Sequence, residues 1–152
     1  MDPRYWDSDC FVGYLNEEAD KIEYCRPVIR ACEQGKLTLV TSSLTLTEVI
    51  KLQSRTAITP EKAARISIFF ESSYIKVRQL DRRTAERARD LIWFENVDVK
   101  DAVHLATALI SEVAQLDTFD GGLHQKSGEL GSPPLRIARP DLPEQLEMAE
   151  GV

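Results

Sequence analysis

Four carboxylates stand where a chain of alternating strands and helices would bring them to one edge. Asp7 follows a short apolar run, Glu48 lies in the first turns of a helical segment, Asp101 lies in the first turn of another, and Asp120 follows Leu116-Asp117-Thr118-Phe119. In a parallel sheet, strand C-termini and the helix starts that follow them share one edge, and ligands bind there. Gathering like charges at that edge is costly unless a cation or protons neutralise them. An all-oxygen donor set with no Cys or His group beside it suits a hard ion, Mg²⁺ or Mn²⁺. Such sites do phosphate chemistry: the ion polarises a phosphoryl oxygen, lowers the pKa of a bound water and stabilises the leaving oxyanion.

Each acid also has a plain structural reading. Thr45-Leu46-Thr47-Glu48 fits a capping box, in which Glu48 accepts from the Thr45 backbone N–H. Asp101, three residues after the N-cap candidate Asp98, complements the helix dipole. Asp120-Gly121-Gly122 is turn chemistry, and Asp7 could be a hydrogen-bonded loop acid.

The elements that must position these acids follow from periodicity and punctuation. Arg4 to Trp6 reads as a buried strand that ends on Asp7-Ser8-Asp9 and turns into an apolar helical stretch. Glu17 to Gln34 is helical, with Ile22, Cys25, Val28, Ile29 and Cys32 on one face; Pro27 either starts that helix or kinks it, and Gly35 stops it. Lys36 to Thr41 is a strand, followed by a helix with Leu46, Val49, Ile50 and Gln53 on one side. Thr59 and Pro60 start a helix to about Glu71, and Tyr74 to Arg78 is a strand. Asp81 caps a helix whose Ala85, Ala88, Leu91 and Ile92 face inward, while Glu86 and Asp90 among Arg82, Arg83, Arg87 and Arg89 make a salt-laced outer face. Val99 to about Val113 is a helix with a stripe of Ala102, Leu105, Ala106, Leu109 and Val113. Leu116 to Phe119 and Leu135 to Ile137 are the last strands, and the segment from Arg139 onward is an acidic, Pro-containing surface tail with a short helix over Pro143 to Ala149. Strands separated by helical segments imply a mostly parallel sheet of about five strands covered on both faces, a three-layer α/β/α arrangement.

A length of 152 residues suits about one domain. No apolar run is long enough for a membrane span. The start has no basic region followed by an apolar one, so no secretory signal is expected. Cys10, Cys25 and Cys32 fit no metal spacing and are expected as buried free thiols, which together with the start suggests a reducing cytoplasm. The net charge of −6 argues against a nucleic-acid partner taken bluntly, but less so if several acids are metal ligands.

Taken together, Tyr5-Trp6-Asp7-Ser8-Asp9, Thr41-Ser42-Ser43-Leu44-Thr45-Leu46-Thr47-Glu48-Val49, Lys100-Asp101-Ala102-Val103-His104-Leu105-Ala106-Thr107-Ala108 and Asp117-Thr118-Phe119-Asp120 resemble, in order, the PIN domain family, and most closely its VapC-type toxins. The Asp101 to Ala108 segment is the most specific piece. The resemblance implies a PIN-like domain over residues 1–139 with a tail at 140–152, divalent-metal-dependent cleavage of RNA, a cognate antitoxin protein and frequent homodimers. It implies Asp7, Glu48, Asp101 and Asp120 as metal-binding acids and Thr118 as the hydroxyl that orients a ligand or water. Asp9 departs from the pattern, since a small neutral polar residue is frequent there, and Gly121-Gly122 is looser than the charged residues often found after the last acid.

Lys51, Lys100, Arg82 and Arg83 are candidates for phosphate contact, against the alternative of solvated surface charge. His104, inside an apolar helix, is expected to be packed and hydrogen-bonded rather than an acid or base, and His124 to be solvated. Trp6 is expected in the core; Trp93-Phe94 reads as core first, then as a dimer contact or a base-stacking surface. The leading functional expectation is a Mg²⁺-dependent endoribonuclease of a toxin–antitoxin pair. The alternative is a non-catalytic module of the same fold that binds RNA or a protein partner.

Overall fold

The structure is a computed structural model, and it describes residues 2–49 and 57–142. The expectations placed on Ile50, Lys51 and Gln53, and on a helix over Pro143 to Ala149, fall outside the described residues. The strands are β1 (Asp2–Trp6), β2 (Leu37–Ser42), β3 (Ile75–Arg78), β4 (Gln115–Asp117) and β5 (Arg136–Ala138). They form one sheet in the order β3-β2-β1-β4-β5, and every pairing is parallel. The helices are α1 (Ser8–Leu15), α2 (Ile22–Glu33), α3 (Ser43–Glu48), α4 (Pro60–Phe70), α5 (Arg82–Glu95), α6 (Val99–Ile110) and α7 (Gly121–His124). None of them is long and apolar enough to cross a membrane.

Side chains alternate faces along a strand, so one strand can feed two cores. Tyr5 and Val40 go to the side covered by α5 and α6, with Ala88, Leu91, Leu105 and Leu116. Trp6 and Leu39 go to the side covered by α1, α2 and α4, with Phe11, Val28, Ile29 and Phe70. The three layers follow from this alternation. Trp6 is core, and the three cysteines are buried free thiols.

β1 is the central strand, and its register levels the site. Tyr5 pairs with Val40 on one side and Leu116 on the other, and Trp6 pairs with Asp117. Asp7 is therefore the first residue past the paired edge, and its N–H donates to the Asp117 carbonyl at 3.5 Å. Three strand ends then turn straight into capped helices. Asp7 caps α1 by accepting from the Cys10 N–H, Ser42 caps α3 by accepting from the Leu44 N–H, and Asp120 caps α7 by accepting from the Gly122 and Leu123 N–H groups. Each side-chain oxygen satisfies donors that the first helical turn leaves open.

Local signals elsewhere also produce their expected elements. Thr59 caps α4 with Pro60 in its first turn, and Asp81 caps α5 through the Thr84 N–H. Gly35 takes a φ of 76°, its N–H donates to the Cys32 carbonyl and the Lys36 N–H donates to the Ala31 carbonyl. That double closure is the Schellman motif, and its left-handed residue favours glycine.

Some expectations are corrected. Pro27 lies inside α2, which already begins at Ile22, so it does not start the helix. Ala85 is exposed; Thr84 takes the inward position instead, its hydroxyl held by Asp81 at 2.7 Å. α6 stops at Ile110, so Val113 is buried beyond its end. Trp93 and Phe94 are not core: they are 65% and 76% exposed. The inward face of α5 is Thr84, Ala88 and Leu91, and at 3.6 residues per turn Trp93 falls on the far side from Leu91. In the segment after β5, Leu142 is buried and Asp141 pairs with Arg4 and Arg136.

Candidate functional site

His104 is the hub of the edge. It is buried on α6, one turn after Asp101. Its Nε2 lies 2.8 Å from Glu48 Oε1, and its Nδ1 lies 2.6 Å from the Tyr5 hydroxyl. Burial first, then the Lys100 charge, pushes its pKa down, against the pull of Asp7 and Asp101. A neutral imidazole carries one N–H, and an ionised carboxylate can only accept. Nε2 therefore donates to Glu48, and Nδ1 accepts from the Tyr5 hydroxyl, which burial keeps protonated. This confirms His104 as packed and hydrogen-bonded, and it adds that the partner is one of the candidate acids.

Glu48 is accordingly not in a capping box. Ser42 is the N-cap of α3, and Thr45 is buried with its hydroxyl 2.7 Å from the Thr41 hydroxyl. The Glu48 carboxylate instead reaches across to α6, where Oε1 meets His104 and Oε2 meets the Lys100 ammonium at 2.8 Å.

Asp7 is buried, and burial raises its pKa. His104 and a hydrogen bond from the Thr118 hydroxyl oppose that rise, and Asp9 adds to it. The Thr118 oxygen also accepts the Asp120 N–H at 3.1 Å. Thr118 thus lies between the buried Asp7 and the turn that carries Asp120.

Asp101 and Asp120 face one small cavity of about 210 Å³, walled by Asn96, Asp98, Leu123 and Lys126. Asp101 is half-buried; desolvation raises its pKa first, and the nearby Asp120 raises it further. Two carboxylates with this mutual repulsion form a place where positive charge is welcome.

The four acids therefore share the edge but fall into separate groups. Asp101 and Asp120 share the cavity, Glu48 is held by His104 and Lys100, and Asp7 is buried at the α1 N-cap. Among the described residues, no three His, Cys, Asp or Glu side chains stand close enough together to hold one metal ion. The donors are nevertheless all carboxylate oxygens, and Asp120 adds to the raised pKa of the half-buried Asp101, so the set fits a hard divalent cation by its chemistry.

The basic candidates divide. Lys100 is at the site, half-exposed and paired with Glu48. Arg82 pairs with Glu86 at 2.7 Å, and Arg83 lines a separate cleft with Arg87, Leu109 and Leu135. Lys51 lies outside the described residues. His124 is not a solvated loop residue: its Nε2 donates to the Thr118 carbonyl at 2.7 Å from within α7.

Sequence reasoning overlooked Tyr5 as the partner of His104, and it overlooked Asp117. Asp117 is fully buried, with Trp6 Nε1 and Gln115 Nε2 each donating at 2.7 Å and the Arg4 guanidinium 3.6 Å away. Burial pushes its carboxyl up to about 7, against the stabilising Arg4 charge and the two donors. The signal available was an acid inside a short strand segment, Leu116-Asp117-Thr118-Phe119, and Arg4 in the first strand.

A PIN domain profile matches residues 4–129 of the sequence. No curated protein matches it significantly. The fold is similar to that of VapBC2 from Rickettsia felis bound to a DNA fragment from its promoter, with a TM-score of 0.65 at 14% identity, over 91% of this chain and 99% of that one. It is also similar to Mycobacterium tuberculosis VapC20, a Sarcin–Ricin loop cleaving toxin, with a TM-score of 0.63 at 16% identity, over 78% and 90%. A toxin–antitoxin complex from Klebsiella pneumoniae is similar with a TM-score of 0.58 at 18% identity, over 77% and 86%.

Proposed function

The chain belongs to the PIN domain family, and from that premise we propose that it is a Mg²⁺-dependent endoribonuclease, the VapC-type toxin of a toxin–antitoxin pair. The observation that carries this is the cavity shared by Asp101 and Asp120, at the edge where Glu48 meets His104 and Asp7 follows β1. The carboxylates of Asp7, Glu48, Asp101 and Asp120 would hold the ion, with Mn²⁺ as an acceptable substitute. When bound, the ion supplies Lewis-acid polarisation of the phosphoryl oxygen and lowers the pKa of water.

The residues around the acids have defined work in this reading. The Tyr5 hydroxyl fixes the His104 tautomer, so that Nε2–H orients Glu48. Lys100 neutralises Glu48 in the metal-free protein and is free to turn to a substrate phosphate once the ion is present. Thr118 holds Asp7 and the Asp120 turn in register. Burial of Tyr5, Asp7, His104 and Thr118 strengthens the interactions among them.

RNA as the substrate draws support from the Mycobacterium tuberculosis neighbour, a Sarcin–Ricin loop cleaving toxin. An antitoxin partner draws support from the Klebsiella pneumoniae toxin–antitoxin complex. Such a partner would silence the site by placing an arginine among the acids, since a guanidinium replaces the charge of the ion and matches carboxylate geometry. A homodimer in the cytoplasm completes the proposal.

The second reading is a binding module without catalysis. Two observations favour it: Lys100 and His104 already occupy Glu48, and no three-ligand group is assembled among the described residues. The two readings separate in one experiment. Purified protein with Mg²⁺ is expected to cut single-stranded RNA, and Asp7→Asn and Asp101→Asn are expected to abolish cutting. Equal cleavage by the wild type and both variants would sink the nuclease reading, and saturable binding without cleavage would support the module.

A further inference from the structure

Trp93 and Phe94 are adjacent in the last turn of α5, and both are largely exposed. Their rings meet edge to face with centroids 6.3 Å apart. The Arg89 guanidinium stands over the Trp93 ring, 4.7 Å from its centroid. Adjacent exposed aromatic rings are a candidate contact surface for a partner or ligand.

Two further observations say which. The first is place. The chain runs from Phe94 through Glu95 directly into Asn96, Val97 and Asp98, which wall the cavity of Asp101 and Asp120. Lys126, also in that wall, donates from Nζ to the Glu95 carbonyl at 2.8 Å, which ties the end of α5 to the cavity rim. The second is charge. α5 carries Arg82, Arg83, Arg87 and Arg89 against Glu86, Asp90 and Glu95, a local excess of positive charge in a chain whose net charge is −6, with Arg82 and Arg89 paired to Glu86 and Asp90. Arg83 and Arg87 make no ion pair among the described residues.

Aromatic rings beside arginines suit a polyanion that also offers π faces, which is the chemistry of single-stranded nucleic acid. A strand laid in the acid cavity must continue past its rim, and the rim on this side leads to these two rings. The geometry points to Trp93 and Phe94 as a base-stacking platform for single-stranded RNA entering the cavity, with the α5 arginines facing its phosphates. This rests on the ribonuclease reading, and it adds a substrate-positioning surface outside the acids.

The test uses binding rather than cleavage, so that the two ideas can fail separately. The full chain, in EDTA, is titrated with a fluorescein-labelled, ribose-O-methylated single-stranded RNA and with an abasic strand of the same length and charge. Trp6 is fully buried, so a change in tryptophan emission on binding reports Trp93. Quenching by the base-bearing strand and not by the abasic one is expected. Trp93→Ala and Phe94→Ala should each weaken binding of the base-bearing strand on the order of tenfold, and Trp93→Phe should retain most of it. Equal affinity for the two strands, or wild-type affinity in both alanine variants, would overturn the proposal. So would size-exclusion data showing a dimer that the double alanine variant converts to a monomer while RNA affinity stays unchanged, because the face would then belong to a second copy. Failure of Asp101→Asn to affect cleavage would strike the ribonuclease reading alone.

Discussion

Asp117 and Asp101 are both carboxylates whose pKa is raised first by burial, yet their surroundings are opposite. Asp117 is ringed by donors: the Trp6 indole, the Gln115 amide and the Arg4 guanidinium. The second influence on Asp101 is another acid, Asp120, across a cavity. A carboxylate closed in by donors is finished; nothing more needs to bind. A carboxylate that faces another carboxylate stores repulsion that only a cation, a proton or a guanidinium relieves. Degree of burial alone would rank Asp117 as the more interesting residue, and the identity of the neighbours reverses that ranking.

The largest expected effect breaks the finished site. Asp117→Ala leaves Arg4 and two donors without their acceptor and should cost about 3–5 kcal/mol of stability, read by urea unfolding. In metal-free solution Asp101→Asn should do the reverse and slightly raise stability, because it removes one half of a repulsive pair. If both variants lose several kcal/mol, the contrast between the two sites is wrong.

Next in size is activity. Asp101→Asn should reduce RNA cleavage more than about 100-fold, while His104→Ala, which only orients Glu48, should cost roughly 10- to 100-fold. Equal losses would mean that His104 touches the reacting groups.

Mg²⁺ should raise the melting temperature of the wild type by mass action, worth about 2.7 kcal/mol at 100 times the dissociation constant. The same titration of Asp101→Asn should show a much smaller rise. A flat melting temperature for the wild type up to millimolar Mg²⁺ would count against assembly of the site.

The pH dependence sharpens the comparison last, since other acids titrate nearby. Asp117 has a folded pKa near 7 against an ordinary value of 3.8, so the folded state holds its proton longer than the unfolded chain. Its contribution is fully present below about pH 4 and is lost as pH rises through about 7. Asp7 and Asp101 are raised in the same direction. Metal-free stability should therefore fall from about pH 4 towards 7, and Asp117→Asn should flatten much of that slope. A wild-type protein that instead gains stability across this window would show Asp117 ionised and paired with Arg4 throughout.

Some of this was legible before any fold was known. The Asp81, Thr59 and Gly35 signals act within one turn of chain, and each does what its local chemistry requires. The order of strands and helices follows from hydrophobic period, and so does the arrival of Asp7, Glu48, Asp101 and Asp120 at one edge. Thr45 to Glu48 misled for a related reason: a capping-box spacing describes a local option, and here Ser42 takes the cap and frees Glu48 for α6. The exposure of Trp93 and Phe94 was equally hidden, because an apolar residue type does not say where its helix ends against its neighbour.

The sequence alone carries the alternation of strands and helices and the helix ends at Asp81, Thr59 and Gly35, because those depend on backbone preferences and periodicities that span a few residues. Only the tertiary structure decided that Tyr5 and Glu48 share His104, that Lys100 rather than a cap holds Glu48, and that Asp117 is closed while Asp101 and Asp120 are open to a cavity. The reason is that a charged side chain takes its role from the groups packed around it, and those come from strands and helices far away along the chain.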